Sequence, residues 1–241
     1  YIMLHFSHKS AGKYLIGDYD TQKDKFFVTG GGNFNHGPVL NGGVHAPSAC
    51  PDGNGGVVAI FNMSSGKRIG GNSFSELMTL PRLLTLDDNG DLRIQPYGDI
   101  ESLRKECVSV RDMAMPANRE IVLEGVEGNT MEIDAEIDLC GARAFEIDVL
   151  RSPQKEEYTR IMFYFKGGYP DRTLTSRDSW STWVSSAISL DNSCGSISAD
   201  ARPRITETAD VLIGNDENVR LRIFIDRSVV EVFVNDRQCI A

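Results

Sequence analysis

The sequence predicts an all-β protein, because short apolar runs recur along nearly the whole chain between turns rich in glycine, asparagine and aspartate. The clearest pair is Leu221–Ile225 and Val229–Val234, which flank the tight turn Asp226–Ser228. Helical spacing of apolar residues is found in one segment, Asp99–Asp112. We interpret this segment as a short linker between two β domains, the second of which is a β-sandwich.

The first strands are short and meander. Apolar runs at Tyr1–Ser7, Tyr14–Tyr19 and Lys25–Val28 are separated by small polar turns, a pattern typical of antiparallel sheets in sandwiches, barrels or propeller blades. Farther on, Phe74–Leu86 is interrupted by a proline, which favours an edge or irregular strand. The Asn89-Gly90 pair that follows predicts a hairpin turn.

The segment from Gly42 to Lys67 predicts one β-hairpin with polar residues at one end. Its strands are Val44–Ala49 and Val57–Phe61, and the turn Pro51–Gly56 is dense in glycine and asparagine. The run Val57–Phe61 is apolar and β-branched, so we expect both of its faces to be buried. A rigid sheet with polar side chains at the strand ends is a suitable scaffold for a binding site.

Period-two patterning returns after the linker and continues through the second domain. It predicts further strands over four segments, Arg119–Leu123, Thr130–Ile137, Ala144–Val149 and Tyr158–Phe165. Strands of this length in one stretch are consistent with the β-sandwich.

Composition excludes several classes of function. The chain has 241 residues, with 25 Lys plus Arg against 34 Asp plus Glu, a net charge of −9 that argues against nucleic acid as a partner. No apolar run approaches the ~18 residues of a transmembrane helix, so no membrane association is expected. The chain starts directly in a strand-like run, which suggests a processed protein or a fragment. Its 5 cysteines are widely spaced, so one or two disulfides stay possible and a zinc site is disfavoured.

Four segments together resemble the C-terminal part of enzymes of glycoside hydrolase family 32, which comprises invertases, fructan hydrolases and related fructosyltransferases. They follow one another in the family's order: His8–Asp20, Gly43–Ala49 with Val57–Asn62, Leu80–Thr85 with Ile100–Arg104, and Leu221–Asp236. The resemblance implies a five-bladed β-propeller joined to a β-sandwich. Residues 1–95 would be the C-terminal propeller blades, residues 96–112 a short helical linker, and residues 113–241 the sandwich without its last strands. A secreted or vacuolar setting is also implied.

The family's reaction resembles that of other retaining glycosidases, in which one carboxylate attacks the sugar and a second carboxylic acid protonates the leaving oxygen. The family's Asn-Asp-Pro and Arg-Asp-Pro motifs are absent from this sequence. Glu106-Cys107 matches the letters of the acid/base motif but lies in the linker, so the true acid/base is expected just before Tyr1. We therefore assign no catalytic residue to this chain. A second polypeptide carrying the N-terminal blades is expected as its partner.

Three residues are predicted to bind substrate: His45, Asn62 and Ser48. His45 lies where the family usually has an aromatic residue near the acid/base, and it could hydrogen-bond a sugar hydroxyl or raise the pKa of that acid. The alternative for His45 is an ordinary polar residue at a strand start. Asn62 lies where many members carry a tryptophan. It also begins a glycosylation sequon, which requires exposure; we favour a site role because Asn62 ends a buried strand.

No metal and no cofactor are expected. His5 and His8 are three residues apart in a strand-like run and point to opposite faces, so they cannot chelate one ion. Trp180 and Trp183 could form a sugar-stacking surface, although such pairs are more often structural.

The sequence as a whole predicts part of a β-fructofuranosidase-like glycoside hydrolase that cleaves or transfers fructosyl units of sucrose or fructan oligosaccharides. The alternative is a non-catalytic carbohydrate-binding or structural β-protein related to the family. A storage or interaction protein with the same fold is a third interpretation.

Overall fold

Strands dominate the computed structural model of the protein, which describes residues 1–7, 11–37, 43–69, 73–166, 185–199, 201 and 204–241, without the side chains of residues 64–69 and 73–76. The first half contains β1 (Ile2–Ser7), β2 (Ala11–Asp20), β3 (Lys25–Asn33), β4 (Val44–Pro51), β5 (Val57–Ile69), β6 (Ser73–Met78), β7 (Arg82–Leu86) and β8 (Leu92–Pro96). The second half contains β9 (Thr130–Ile137), β10 (Ala144–Val149), β11 (Thr159–Tyr164), β12 (Ser186–Asp191), β13 (Glu207–Val211), β14 (Val219–Asp226), β15 (Val229–Val234) and β16 (Gln238–Ile240).

These strands form four antiparallel sheets within the described residues. The first sheet has the order β1-β2-β3, and the second has the order β4-β5-β7-β8 with β6 paired to β5. The third sheet is β10-β11-β12-β13 and the fourth is β16-β15-β14-β9. The all-β class is therefore confirmed. Two of the four sheets lie before the predicted linker, where the last blades of a propeller were predicted, and two lie after it.

The third and fourth sheets pack face to face as a β-sandwich. Their shared core contains Ile161, Phe163 and Ile188 from the third sheet against Leu221 and Ile223 from the fourth, all with no exposed surface. Alternation along the strands explains this arrangement, since every second side chain of β11 and β14 points into the core.

A second core joins the outer face of the fourth sheet to the first two sheets. It contains Phe34, Phe61 and Leu84 from the N-terminal half, together with Phe233 and Cys239 from the sandwich. Strand β15 is consequently buried on both faces, with Val230, Val232 and Val234 turned to the sandwich core and Phe233 turned to the second core.

Hydrogen bonds also cross this boundary. The amide of Ile94 donates to the carbonyl oxygen of Asp236 at 2.8 Å, and the side chain of Gln95 donates to the carboxylate of Asp236 at 3.0 Å. Strand β8 is thereby tied to the turn that follows β15.

The predicted linker helix is wrong over most of its length. Only Ile100–Leu103 is helical, as a 3₁₀ turn whose N-cap residue Asp99 makes no capping hydrogen bond with its side chain. Arg104 already has an extended backbone, and its guanidinium makes two hydrogen bonds to Glu132 on β9, at 2.7 and 2.8 Å. Because Arg104 is bound to β9, the chain continues in an extended conformation beside the sandwich instead of as a helix.

Two other local predictions need correction. The strand predicted at Arg119–Leu123 is irregular and exposed. The run Val57–Phe61 buries only Ala59 and Phe61, which share one face, whereas Val57, Val58 and Ile60 are half-buried. All 5 cysteines lie within the described residues and are unpaired, so the possible disulfides are not formed. In the described part of the chain, no helix has the length and apolar character needed to cross a bilayer.

Candidate functional site

The hairpin of β4 and β5 is held rigidly at its turn. The carboxylate of Asp52 accepts hydrogen bonds from the amides of Asn54 at 2.8 Å and Gly56 at 2.7 Å. Gly53 and Gly55 adopt positive φ angles of 85° and 94°, which glycine tolerates without strain. The glycine-rich turn predicted from the sequence is confirmed.

The start of β4 is fixed by Asn35, which is 7% exposed. Its side-chain amide donates to the carbonyl oxygen of Val44 at 3.0 Å, and its side-chain oxygen accepts from the amide of Gly37 at 2.9 Å. Gly43 has a φ of +76°, and a Cβ added there would lie 2.9 Å from the Asn35 side chain. A glycine at this position therefore lets the chain enter β4 past Asn35.

His45 and Asn62 lie directly opposite each other in the ladder of β4 and β5. Both residues are half-buried. The His45 ring packs against Phe6 of β1 with ring centroids 5.8 Å apart. On its other side, Asn62 pairs with Met78 of β6, which is 60% exposed. A polar pair is thus flanked by an aromatic ring and an exposed apolar side chain.

A β-bulge brings Ser48 to the same face. The register shifts between His45 and Ser48, so that Ser48 pairs with Ile60, and Ala46 within the bulge has a φ of 45°. In a regular strand, residues three apart point to opposite faces; the extra residue of the bulge restores the alignment. Ile60 and Asn62 share one face, so Ser48, which is exposed, lies on the face of His45.

The three predicted substrate residues therefore share one face of the second sheet, which we call the candidate face (His45, Ser48 and Asn62). The sequence did not indicate its flanking residues Phe6 and Met78. The contact with Phe6 joins two different sheets, and no local pattern reports such a contact.

The other sequence candidates do not join this face. Glu106 and Cys107 are exposed in the irregular segment after the 3₁₀ turn. The carboxylate of Asp20 accepts hydrogen bonds from the backbone amides of Gln22 at 2.9 Å and Lys23 at 3.1 Å. The hydrogen bond from the Lys23 amide lowers the pKa of Asp20. Asp20 therefore stabilises the turn that follows β2. His8, Trp180 and Trp183 lie outside the described residues.

Within the described residues, no three histidine, cysteine, aspartate or glutamate side chains are placed to hold a metal ion together. A cleft of about 590 Å³ lies at one end of the sandwich, lined by residues 138–143 and 215–218 together with Phe165 and Lys166. None of the predicted substrate residues lines this cleft, so the cleft is not part of the candidate face.

Comparison with known proteins identifies the family. The sequence profile described as "Glycosyl hydrolases family 32 C terminal" matches residues 99–241, which is more than half of the chain. The chain belongs to glycosyl hydrolase family 32. The predicted family is therefore confirmed, and so is the prediction that this chain corresponds to the C-terminal part of the family's enzymes. No match was found among curated protein sequences.

Solved structures of the same fold are similar at low sequence identity. Fructan 1-exohydrolase IIa from Cichorium intybus matches with a TM-score of 0.73 at 17% identity, covering 95% of this chain and 48% of that chain. Sucrose-6-phosphate hydrolase from Lactobacillus gasseri matches with a TM-score of 0.63 at 19% identity, and exo-inulinase from Aspergillus awamori with 0.63 at 18%; each match covers 95% of this chain and 44% of the other. The chain thus spans about half the length of the structures it matches.

Proposed function

We propose that this family 32 chain is the C-terminal part of a β-fructofuranosidase-like enzyme that cleaves or transfers fructosyl units of sucrose or fructans. Residues 1–95 would form the C-terminal blades of the β-propeller, residues 96–112 the linker, and residues 113–241 the β-sandwich. The observation that carries the proposal is that, in a chain of this family, a bulge places His45, Ser48 and Asn62 on one face.

The chemistry proposed is that of a retaining glycosidase whose two carboxylates come from the preceding part of the enzyme. This chain would supply binding groups. The amide of Asn62 can donate two hydrogen bonds and accept others, and the imidazole of His45 can donate one and accept one. Both match sugar hydroxyls, which donate and accept. Ser48, one ladder step farther along and exposed, would contact the sugar at the rim of the site.

Two further points support a fructan or sucrose substrate. Solved structures of the same fold are named for activity on fructan, inulin or sucrose-6-phosphate. One of them is a variant of fructan 1-exohydrolase IIa in complex with 1-kestose. We also propose that the N-terminal blades, on the same or a second polypeptide, complete the site, and that the enzyme is secreted or vacuolar.

The test is a product assay on the full-length enzyme. It would be incubated with sucrose, 1-kestose, inulin and levan, and the products separated by anion-exchange chromatography. We expect release of fructose from at least one substrate, with longer oligosaccharides appearing if the enzyme also transfers. Binding of these sugars without any fructose release would contradict the proposal and favour the non-catalytic carbohydrate-binding protein.

A further inference from the structure

A buried carboxylate lies on β15, in the hairpin of the sandwich. Glu231 is 2% exposed, and a charged group at such a position requires partners. One of its carboxylate oxygens accepts from the amide of Leu80 at 2.5 Å, and the other accepts from the guanidinium of Arg82 at 2.7 Å. Both partners belong to the segment that leads from β6 into β7 of the second sheet.

Arg82 extends this contact to an aromatic ring of β5. It has no exposed surface, and its guanidinium lies 5.2 Å from the ring centroid of Phe61 and 5.7 Å from that of Phe233. A guanidinium at these distances attracts the ring faces, especially when desolvated. The ion pair therefore fixes the side chain of Phe61 from the sandwich side.

The backbone of Phe61 is held by the same segment. Its amide donates to the hydroxyl of Thr79 at 3.1 Å, and its carbonyl oxygen accepts from the amide of Thr79 at 2.9 Å. Thr79 precedes Leu80, whose amide is bound by Glu231. Two routes thus run from Glu231 to Phe61, one through the backbone at Thr79 and Leu80 and one through the side chain of Arg82.

Phe61 lies beneath the candidate face. It immediately precedes Asn62 and opposes the bulge that separates His45 from Ser48. Its ring packs on that of Phe34, with centroids 4.9 Å apart. A shift of Phe61 would move the backbone of its neighbour Asn62 and that of the β4 bulge, which lies opposite Phe61.

We propose that Glu231 of the sandwich is a positioning residue for the candidate face, acting through Leu80, Arg82 and Phe61. The sandwich would then set the geometry of the substrate site, in addition to bracing the N-terminal sheets. This inference rests on the proposed function, because its effect is measured as fructosyl cleavage.

The experiment is a mutant cycle in the full-length enzyme, assayed well below the unfolding temperature of every variant. Glu231→Gln keeps the size and one acceptor of the side chain but removes its charge. It is measured in the wild type and in a background carrying both His45→Ala and Asn62→Ala. The matched control is Asp134→Asn, which breaks an exposed pair with Arg220, 2.8 Å apart, on the same sheet.

We expect Glu231→Gln to lower kcat/KM by about 10- to 100-fold in the wild type, as displacement of substrate-positioning groups does. In the His45→Ala, Asn62→Ala background the same change should cost less than about twofold, because the groups it positions are already gone. A purely structural role would lower activity equally in both backgrounds. Asp134→Asn should leave kcat/KM unchanged in both.

Equal losses in the two backgrounds would overturn the inference while leaving the proposed function intact. A wild-type enzyme that releases no fructose would instead overturn the proposed function and this inference with it. If alanine at His45 and Asn62 has no effect, the positioning role is likewise refuted. Should Glu231→Gln fail to fold, Arg82→Lys, which keeps the charge but lacks the planar fork over Phe61, replaces it in the same cycle.

Discussion

Arg82 and Glu231 form a buried ion pair: the side chain of Arg82 is 0% exposed and that of Glu231 is 2% exposed. Desolvation makes such a pair a weak contributor to stability as a whole, but removal of one partner leaves an uncompensated buried charge. The pair is therefore a site where a single substitution has a large effect.

We predict that Glu231→Ala lowers the free energy of unfolding by about 3–5 kcal/mol, because Arg82 is left buried without its partner. Urea denaturation followed by tryptophan fluorescence or circular dichroism measures the change. The control is Asp134→Ala, which removes a half-exposed pair and should cost no more than about 1 kcal/mol. Equal losses from the two substitutions would show that burial of the Arg82 pair has no special consequence.

His36 gives stability a pH dependence. The residue as a whole is half-buried, but its Nε2 atom is enclosed and has no hydrogen-bond partner among the described residues. Burial lowers the pKa of His36 to about 4, the positive charge of Arg82 adds to this, and a hydrogen bond with Gln238 opposes it. The pKa of histidine in an unfolded chain is about 6.5. Between this pH and about 4, the unfolded state therefore binds a proton at His36 that the folded state does not bind.

The contribution of His36 to stability should consequently fall as the pH drops from about 6.5 towards 4, and level off below that. His36 accounts for about 2 kcal/mol of this loss between about pH 6.5 and 4.5. Glu207 acts in the opposite sense, because burial raises the pKa of its carboxyl despite the nearby Arg204. Urea denaturation at both pH values, in the wild type and in His36→Gln, isolates the histidine. An unchanged pH dependence in His36→Gln would refute the assignment.

At the scale of an element, the bulge in β4 decides which side chains share a face. Ala46 holds a φ of 45° there, a conformation that is strained for residues with a Cβ. Because Ala46 is exposed, substitutions at this position report on the backbone with little change in packing.

We predict that Ala46→Gly is neutral or stabilises the protein by up to about 1 kcal/mol and leaves activity in place, because glycine adopts this φ without strain. Ala46→Val should destabilise it by about 1–2 kcal/mol, since a β-branched residue tolerates positive φ poorly. Thermal unfolding of the two variants provides the measurement. A valine variant as stable as the glycine variant would mean that the bulge does not hold this backbone geometry.

Elements with a strong local signal were predictable from the sequence. The hairpin of β14 and β15, the Asn89-Gly90 turn and strands β9 and β10 follow from alternation and turn chemistry, and they are confirmed. The helix at Asp99–Asp112 was wrong because apolar spacing alone ignores the competing pairing of Arg104 with Glu132.

The candidate site was predictable only in part. The sequence indicated His45, Ser48 and Asn62 as polar residues near predicted strand ends. That placement was wrong for Asn62, since β5 continues to Ile69, and their common face depends on a one-residue bulge. That bulge has no clear signature, because Ala46 is neither glycine nor asparagine. Glu231 did leave a signal, since a carboxylate within the apolar run Val229–Val234 must find a partner. The identity of that partner, Arg82, depends on contact between sheets far apart in sequence.

At the scale of the whole molecule, the second core unites the N-terminal sheets with the sandwich. Phe233 and Cys239 of the sandwich pack there beside Phe61 and Leu84, and burial raises the pKa of the Cys239 thiol. A buried thiol with a raised pKa is unreactive, so this cysteine contributes through packing. The boundary is apolar apart from a few paired charges, which favours one fixed arrangement of the two halves.

The measurement that tests the account most directly is kcat/KM for fructose release by the full-length enzyme, compared among the wild type, His45→Ala, Asn62→Ala and the control Asp134→Asn. Loss of a hydrogen bond to the reacting sugar should lower kcat/KM by about tenfold for each alanine variant. The control should match the wild type. If both alanine variants retain wild-type kcat/KM on every substrate that the enzyme cleaves, the candidate face is not part of the substrate site.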